Sequence, residues 1–274
     1  MTYNHSSMFF SPCNDYWRKL RKISVLELLS NNCVQSFRSI REEEVGNLVE
    51  FISSNAGQNI NLSDRIFSMT TDVISRAAFG DNCRDQRKFN SLVEEILPLS
   101  AANETSATSM EWAISELLKN PGVMKKAQEE IRQACKGKNK IEEDIQKLDY
   151  LKAVIKESFR LQPPAPLNIR LAAERSEISG YTVPASTKII VNNYAIGRDP
   201  TIWKDPECFR PERFEGSSID FKGNHFELIP FGGGRGFVQG YHLLLALLNL
   251  NLLKCLYYFD WKLPNGIKLE DLDV

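Results

Sequence analysis

From Asp15 to Leu161 apolar residues recur every three or four positions, the spacing of helices with one buried face. Between Asp15 and Leu29 they fall at Trp17, Leu20, Ile23, Leu26 and Leu29. Val34 to Ser54 repeats the pattern with Phe37, Ile40, Val45, Val49 and Ile52. A third helix, capped by Ser63 and stopped by Gly80, turns Ile66, Met69, Val73 and Ala77 inward. Lys88 to Leu97 predicts a shorter helix, ended by Pro98. Ala101 to Lys119 predicts another, with Met110, Ala113, Ile114 and Leu117 inward. Asn120 caps a helix that has Pro121 in its first turn, and Leu151 to Leu161 predicts one closed by Pro163 and Pro164.

The pattern changes after residue 178. "GYTVP" and "TKIIVNN", between Ser179 and Asn193, predict strands of a small hairpin or sheet. From Ala195 to Gly240 the chain is rich in Pro, Gly, Asp and Phe with little periodicity, and predicts a long structured meander. A leucine-rich helix follows. Its apolar run, Leu243 to Leu256, is interrupted by Asn249, Asn251 and Lys254, too short and too polar to span a bilayer. The expected class is mainly α with small β-sheets.

Composition adds exclusions. The 274 residues are 42% hydrophobic and 25% charged, as in ordinary globular chains. Lys+Arg 34 against Asp+Glu 35 leaves a net charge of −1, so nothing points to nucleic acid or an anionic membrane surface. The six cysteines are scattered without metal-ligand spacing and predict idle or buried thiols. Three histidines (His5, His225, His242) stand too far apart for a metal cluster, and the first residues carry no leader or anchor pattern.

Several short motifs carry candidate chemistry. In "KESFR", Glu157 and Arg160 share a helix face, either as a surface pair or as a buried pair reached by Arg213 of "FRPERF". In "ANETS", an acid and an alcohol, Glu104 and Thr105, lie in an apolar helix. They read as a helix start capped by Asn103 or Ser100, or as a hydroxyl holding a water or a peroxide oxygen. "WRKLRK" sets Trp17 and Arg21 on one face, as a solvated basic side or a carboxylate-binding site. "FGGGRGFVQG", Phe231 to Gly240, lacks the Lys-Ser/Thr of a phosphate loop. Its other reading is a glycine bulge pressed against a flat cofactor, with Arg235 meeting the cofactor's acidic groups.

In that order, with "PPAPL" and "YAIGRDPTIW" between them, these motifs resemble the cytochrome P450 haem-thiolate monooxygenases of the plant microsomal type. The resemblance covers nearly the whole chain. It implies that family's fold, a haem cofactor, a small lipophilic substrate of plant secondary metabolism and an NADPH-dependent reductase as electron donor. It places the E-x-x-R pair on Glu157 and Arg160, with Arg213 as structural partner. It places haem-propionate contacts on Trp17, Arg21 and Arg235, and the proton-delivery pair on Glu104 and Thr105. Phe231, Gly232, Gly234, Arg235 and Gly240 match the family's haem loop, F-G-x-G-R-x-x-C-x-G.

Three departures accompany the match. The cysteine position of the loop is Val238, flanked in register by the matching glycines, and Cys255 is far out of place. Valine offers no lone pair to iron, whereas the family's thiolate drives O–O cleavage. His242 lies one helical turn beyond Val238, as a nitrogen near the metal or as a rim histidine. Second, "EEILPLS" runs directly into "AANETS", where the family carries helices that roof the substrate pocket, so a deletion is expected near residues 100–101. Third, the family's N-terminal anchor to the endoplasmic reticulum, its first sheet and its C-terminal hairpin are not seen. The expectation is a single incomplete domain over residues 1–274, inactive as a monooxygenase, with exposed apolar surface. The alternative is a non-catalytic fragment or pseudogene product with at most weak haem binding.

Overall fold

The leucine-rich run Tyr241–Tyr258 is one helix at the centre of the structure, with Leu247, Leu248, Leu250, Leu252 and Leu253 wholly buried. A helix that is apolar on every side must be covered on every side. The computed structural model describes residues 14–80, 97–138, 142–234, 238 and 240–264. In chain order its helices are α1 (Asp15–Ser24), α2 (Asn31–Ser36), α3 (Arg38–Ser54), α4 (Leu62–Phe79), α5 (Leu97–Lys119), α6 (Pro121–Ala134), α7 (Asp149–Leu161), α8 (Asn193–Ile196) and α9, the leucine-rich helix. Short 3₁₀ turns lie at Glu142–Lys147 and Pro211–Phe214.

The core is helical. Val45, Leu48 and Ile52 of α3, Ile66, Met69 and Val73 of α4, and Met110, Ala113 and Leu117 of α5 join Leu151, Val154 and Phe159 of α7 around α9. Burying a side chain of this size contributes about 1.5–3 kcal/mol.

Two small antiparallel sheets complete the class predicted from the sequence. β1 (Leu167–Leu171) pairs with β4 (Lys188–Asn192), with Ile169 opposite Ile190. β2 (Ser176–Ile178) pairs with β3 (Tyr181–Val183) across a tight turn. That turn has positive φ at both Ser179 and Gly180, as a two-residue hairpin of this hand requires.

Several boundaries differ from the periodicity. The predicted helix Asp15 to Leu29 stays α-helical only to Ser24, and Val25–Leu29 is a π turn. Ile23, within α1, and Leu26, within the wider turn, were both expected inward and are 60% and 55% exposed. Val34 to Ser54 is broken at Phe37; its fully buried positions are Val34, Arg41, Val45, Leu48 and Ile52, with Ile40 packed half-buried against the core, while Phe37 and Val49 are not part of it. Arg41 lies among these positions because its guanidinium donates to the Val34 carbonyl.

Asn61, not Ser63, caps α4. Its Oδ1 accepts from the Asp64 amide at 3.3 Å while its Nδ2 donates to the Asp64 carboxylate at 2.7 Å, a reciprocal cap. Pro98 does not end a helix, because α5 starts at Leu97 and a proline is tolerated in a first turn. Asn103 and Ser100 therefore lie inside α5 and are not its caps. Residues 88–96 of the predicted short helix lie outside the described residues. β1 was not expected, and "GYTVP" and "TKIIVNN" pair with separate partners instead of with each other.

Candidate functional site

The centre of the site is Glu157 on α7, which no solvent reaches. Arg160, one turn later, meets it through two bonds: Nε to Oε2 and Nη2 to Oε1, both 2.8 Å. Arg213, from the 3₁₀ turn Pro211–Phe214, donates Nε to the same Oε1 at 2.9 Å, and the Arg210 amide adds a bond of 2.7 Å. A carboxylate this deep needs such charge-assisted partners.

The two guanidiniums spend their other hydrogens on the meander. Arg160 donates to the carbonyls of Gly197, Pro206 and Cys208, and Arg213 to those of Lys204, Asp205 and Cys208. Trp203 lies under both, its ring centre 5.4 Å from one guanidinium carbon and 5.9 Å from the other. Loop carbonyls that cannot join a sheet are thus satisfied by two arginines.

Trp203 and Gly197 were not singled out as site residues, although both stand in "YAIGRDPTIW". Gly197 is required sterically, since a Cβ there would lie 2.0 Å from the Arg160 carbonyl oxygen. A neighbouring network ties α6 and α7 to the same turn. Lys126 donates to Glu212 and Glu215, 3.0 Å each, and the Tyr150 hydroxyl donates to Glu212 at 2.9 Å. Burial works to raise the Glu212 pKa, but the bonds from Lys126, the backbone amide and Tyr150 together with the Lys126 charge outweigh it and hold the carboxyl below its usual value.

From this base the chain reaches the glycine loop. Phe231 is buried edge-on against Phe159 of α7 and against Phe221, with ring centres 5.1 and 5.9 Å away. Gly232 and Gly234 have φ of 77° and 59°, a region open to glycine and strained for other residues. The Gly232 amide donates to the Ile229 carbonyl at 2.9 Å, and the Val238 amide returns to the Phe231 carbonyl at 3.0 Å. Gly240 packs close to Leu29 of the π turn, 3.9 Å from where its Cβ would be, which brings the α1 end of the chain to the loop. Arg235 lies outside the described residues.

The other predicted positions are located as follows. Trp17 and Arg21 lie on α1, with the guanidinium carbon 5.1 Å from the indole centre, while the Asn14 side chain caps the helix. Glu104 and Thr105 are interior to α5; Glu104 is exposed, and the Thr105 carbonyl accepts the Ser109 hydroxyl at 2.6 Å. His242 stacks on Tyr241 with ring centres 3.9 Å apart; burial, then the Lys222 charge, lowers its pKa.

Val238 is 41% exposed and carries only carbon in its side chain. The described thiols lie elsewhere. Cys255 is buried within α9, its pKa pushed up to about 12 by desolvation. Cys135 is enclosed in the core, Cys33 donates to the Leu26 carbonyl at 3.3 Å, and Cys208 is exposed in the meander. Among the described residues no group of three or more His, Cys, Asp or Glu side chains could hold a metal ion.

The acid–arginine helix, its partner arginine and the glycine loop stand in the motif order of one family. The cytochrome P450 family profile matches residues 1–100 and 96–273, and the chain belongs to that family. It is 51% identical over 368 positions to a melianol synthase of Ailanthus altissima, covering 100% of this chain and 71% of that protein. A melianol synthase of Citrus sinensis is 51% identical over 369 positions, with 100% and 72% covered. A germacrene A hydroxylase of Barnadesia spinosa is 39% identical over 361 positions, with 100% and 73% covered. Each aligned span is longer than the 274 residues of this chain.

Members of this family bind haem, and in general use a redox-partner reductase and small lipophilic substrates. The residues present here do not fit that cofactor's thiolate ligation. The loop keeps its glycines and its aromatic anchor, but the side chain at 238 has no donor atom, and none of the described cysteines sits in the loop.

Proposed function

We propose that this chain is a cytochrome P450 scaffold of plant secondary metabolism that does not work as a monooxygenase, because Val238 occupies the ligand position of the haem loop. The observation that carries this reading is the contrast between neighbouring parts. Gly232 and Gly234 take the positive φ and Phe231 the buried anchor position expected of a cofactor loop, while the side chain at 238 is aliphatic. The Glu157–Arg160–Arg213 network acts as its structural base. Trp17, Arg21 and Arg235 are the positions for cofactor carboxylates. Glu104 and Thr105 are the family's proton-handling positions, and without a metal ligand at 238 they have no reacting centre to serve.

By family, the ancestral activity is oxidation of a small lipophilic metabolite with molecular oxygen, fed by an NADPH-dependent reductase. The activities named for the relatives, a synthase and a hydroxylase, support that class. The family address is the endoplasmic reticulum membrane. Among the described residues no helix is long and apolar enough to cross a membrane.

The deletion near residues 100–101 belongs to the same reading. Two features support it: the family match falls into two stretches that meet at 96–100, and the relatives' aligned spans exceed this chain's length. Sequencing the transcript across Ser100–Ala101 and across Val238 tests both points, and a message encoding intervening helices and a cysteine would overturn the reading. The second reading is a non-catalytic chain with at most weak haem binding. Val238→Cys separates the two: improved haem retention supports a loop still shaped for the cofactor, and unchanged haem content supports the second.

A further inference from the structure

β1 and β4 form a sheet of only two strands, and a pair this small is marginal alone. Their register sets Ile169 opposite Ile190, Leu167 opposite Asn192 and Leu171 opposite Lys188. Side chains alternate across a strand, so Leu167, Ile169, Leu171 and Ile190 lie on one face, 53%, 65%, 62% and 60% exposed.

The backbone of β1 alternates too. Just past the Leu171–Lys188 pair, the Ala172 amide donates to the Thr187 carbonyl at 2.9 Å and the Ala172 carbonyl accepts the Ser186 amide at 2.8 Å. Ala172 therefore turns both groups towards the β4 side, and by alternation Arg170 and Asn168 do the same. The amides and carbonyls of Leu167, Ile169 and Leu171 point the other way, to the outer edge of β1. Among the described residues no backbone group meets them there. Such a row is a template for another strand.

The sequence of β1 is self-complementary: Leu167-Asn168-Ile169-Arg170-Leu171 reads nearly alike in both directions. Turned about a two-fold axis at Ile169, the strand meets its own copy antiparallel, with Ile169 opposite Ile169 and Leu167 opposite Leu171. On the other face Arg170 stands opposite Asn168, so no like charges are set directly across. The outer edge of β4 is a poorer template. It carries Lys188, a residue type that keeps edges unpaired, and it runs into α8, where Asn192 Oδ1 accepts the Ala195 amide at 3.0 Å.

We propose that the chain forms a symmetric dimer by pairing β1 with β1 of a second copy, centred on Ile169. Two two-stranded sheets thereby become a single four-stranded one, and each exposed apolar side chain of β1 gains an apolar neighbour across the seam. A seam of five residues covers less than the about 800 Å² per partner of stable complexes. The dimer is therefore weak, forming at about 10–100 μM chain.

Sedimentation velocity on the full chain reads the result. The unsubstituted protein should shift from monomer to dimer as its concentration rises to about 100 μM. Ile169→Lys and Ile169→Glu each set like charges across the axis and should weaken association at least about tenfold. Far-UV circular dichroism should not change in either, because residue 169 is exposed. An equal mixture of the two variants sets opposite charges across the axis and should restore the dimer. A monomer throughout, assembly beyond the dimer, a dimer that survives Ile169→Lys, or a mixture that stays monomeric each overturns the proposal.

Discussion

Cut off from solvent, the Glu157 carboxylate depends wholly on Arg160, Arg213 and the Arg210 amide. Removing one partner of a buried ionic network leaves the others uncompensated, at about 3–5 kcal/mol. Glu157→Gln preserves the shape but sets an amide hydrogen against a guanidinium. It is expected to destabilise the fold by that order, as measured by denaturant unfolding. A change below about 1 kcal/mol, the range of a surface pair, would show that the network does not hold the meander. This pairing was legible as a spacing, Glu157 three residues before Arg160. What spacing could not show is the density of loop carbonyls around it, since those come from residues 197–208, which have no periodicity to read.

At the scale of elements, α9 carries one polar residue deep in its leucine packing. Asn251 is 2% exposed; its Nδ2 returns to the Leu247 carbonyl at 3.0 Å, while its Oδ1 has no partner. A buried unsatisfied acceptor costs about 1–3 kcal/mol, so Asn251→Leu is expected to raise the thermal midpoint. A fall would mean that the site cannot accept the leucine's shape. The first turn of the same helix titrates. Burial and Lys222 lower the pKa of His242 below its ordinary value of 6.5. A base with a depressed folded pKa favours the folded state above the unfolded pKa. Stability should therefore fall as pH drops through about 6.5, and His242→Phe should flatten that fall. An unchanged pH dependence would remove His242 from the account.

The helices themselves were readable because apolar residues recur at helical spacing in α3, α4, α5 and α7, whether one stripe is buried, as in α3, or nearly every residue, as in α7. The misreadings have local causes: a π turn after Ser24, the Asn61–Asp64 cap, and a proline in the first turn of α5. Period alone does not register any of these. β1 escaped notice because five residues directly behind three prolines show too little alternation to read as a strand.

For the molecule as a whole, part of the exposed apolar surface gathers on one sheet face. Leu167, Ile169, Leu171 and Ile190 share one face of the β1–β4 sheet, each more than half exposed. Motif order alone identified the family, because the acid–arginine helix, the meander and the loop follow one another in the family's order. The ligand position was equally plain, since the flanking glycines hold the register of Val238. The central claim is that iron bound at this loop would meet carbon instead of sulfur. Its most direct test is the difference spectrum of the purified chain, loaded with haem, reduced and exposed to carbon monoxide. The account predicts no red-shifted Soret band of sulfur-ligated iron in the native chain and its appearance in Val238→Cys; that band in the native chain would contradict it.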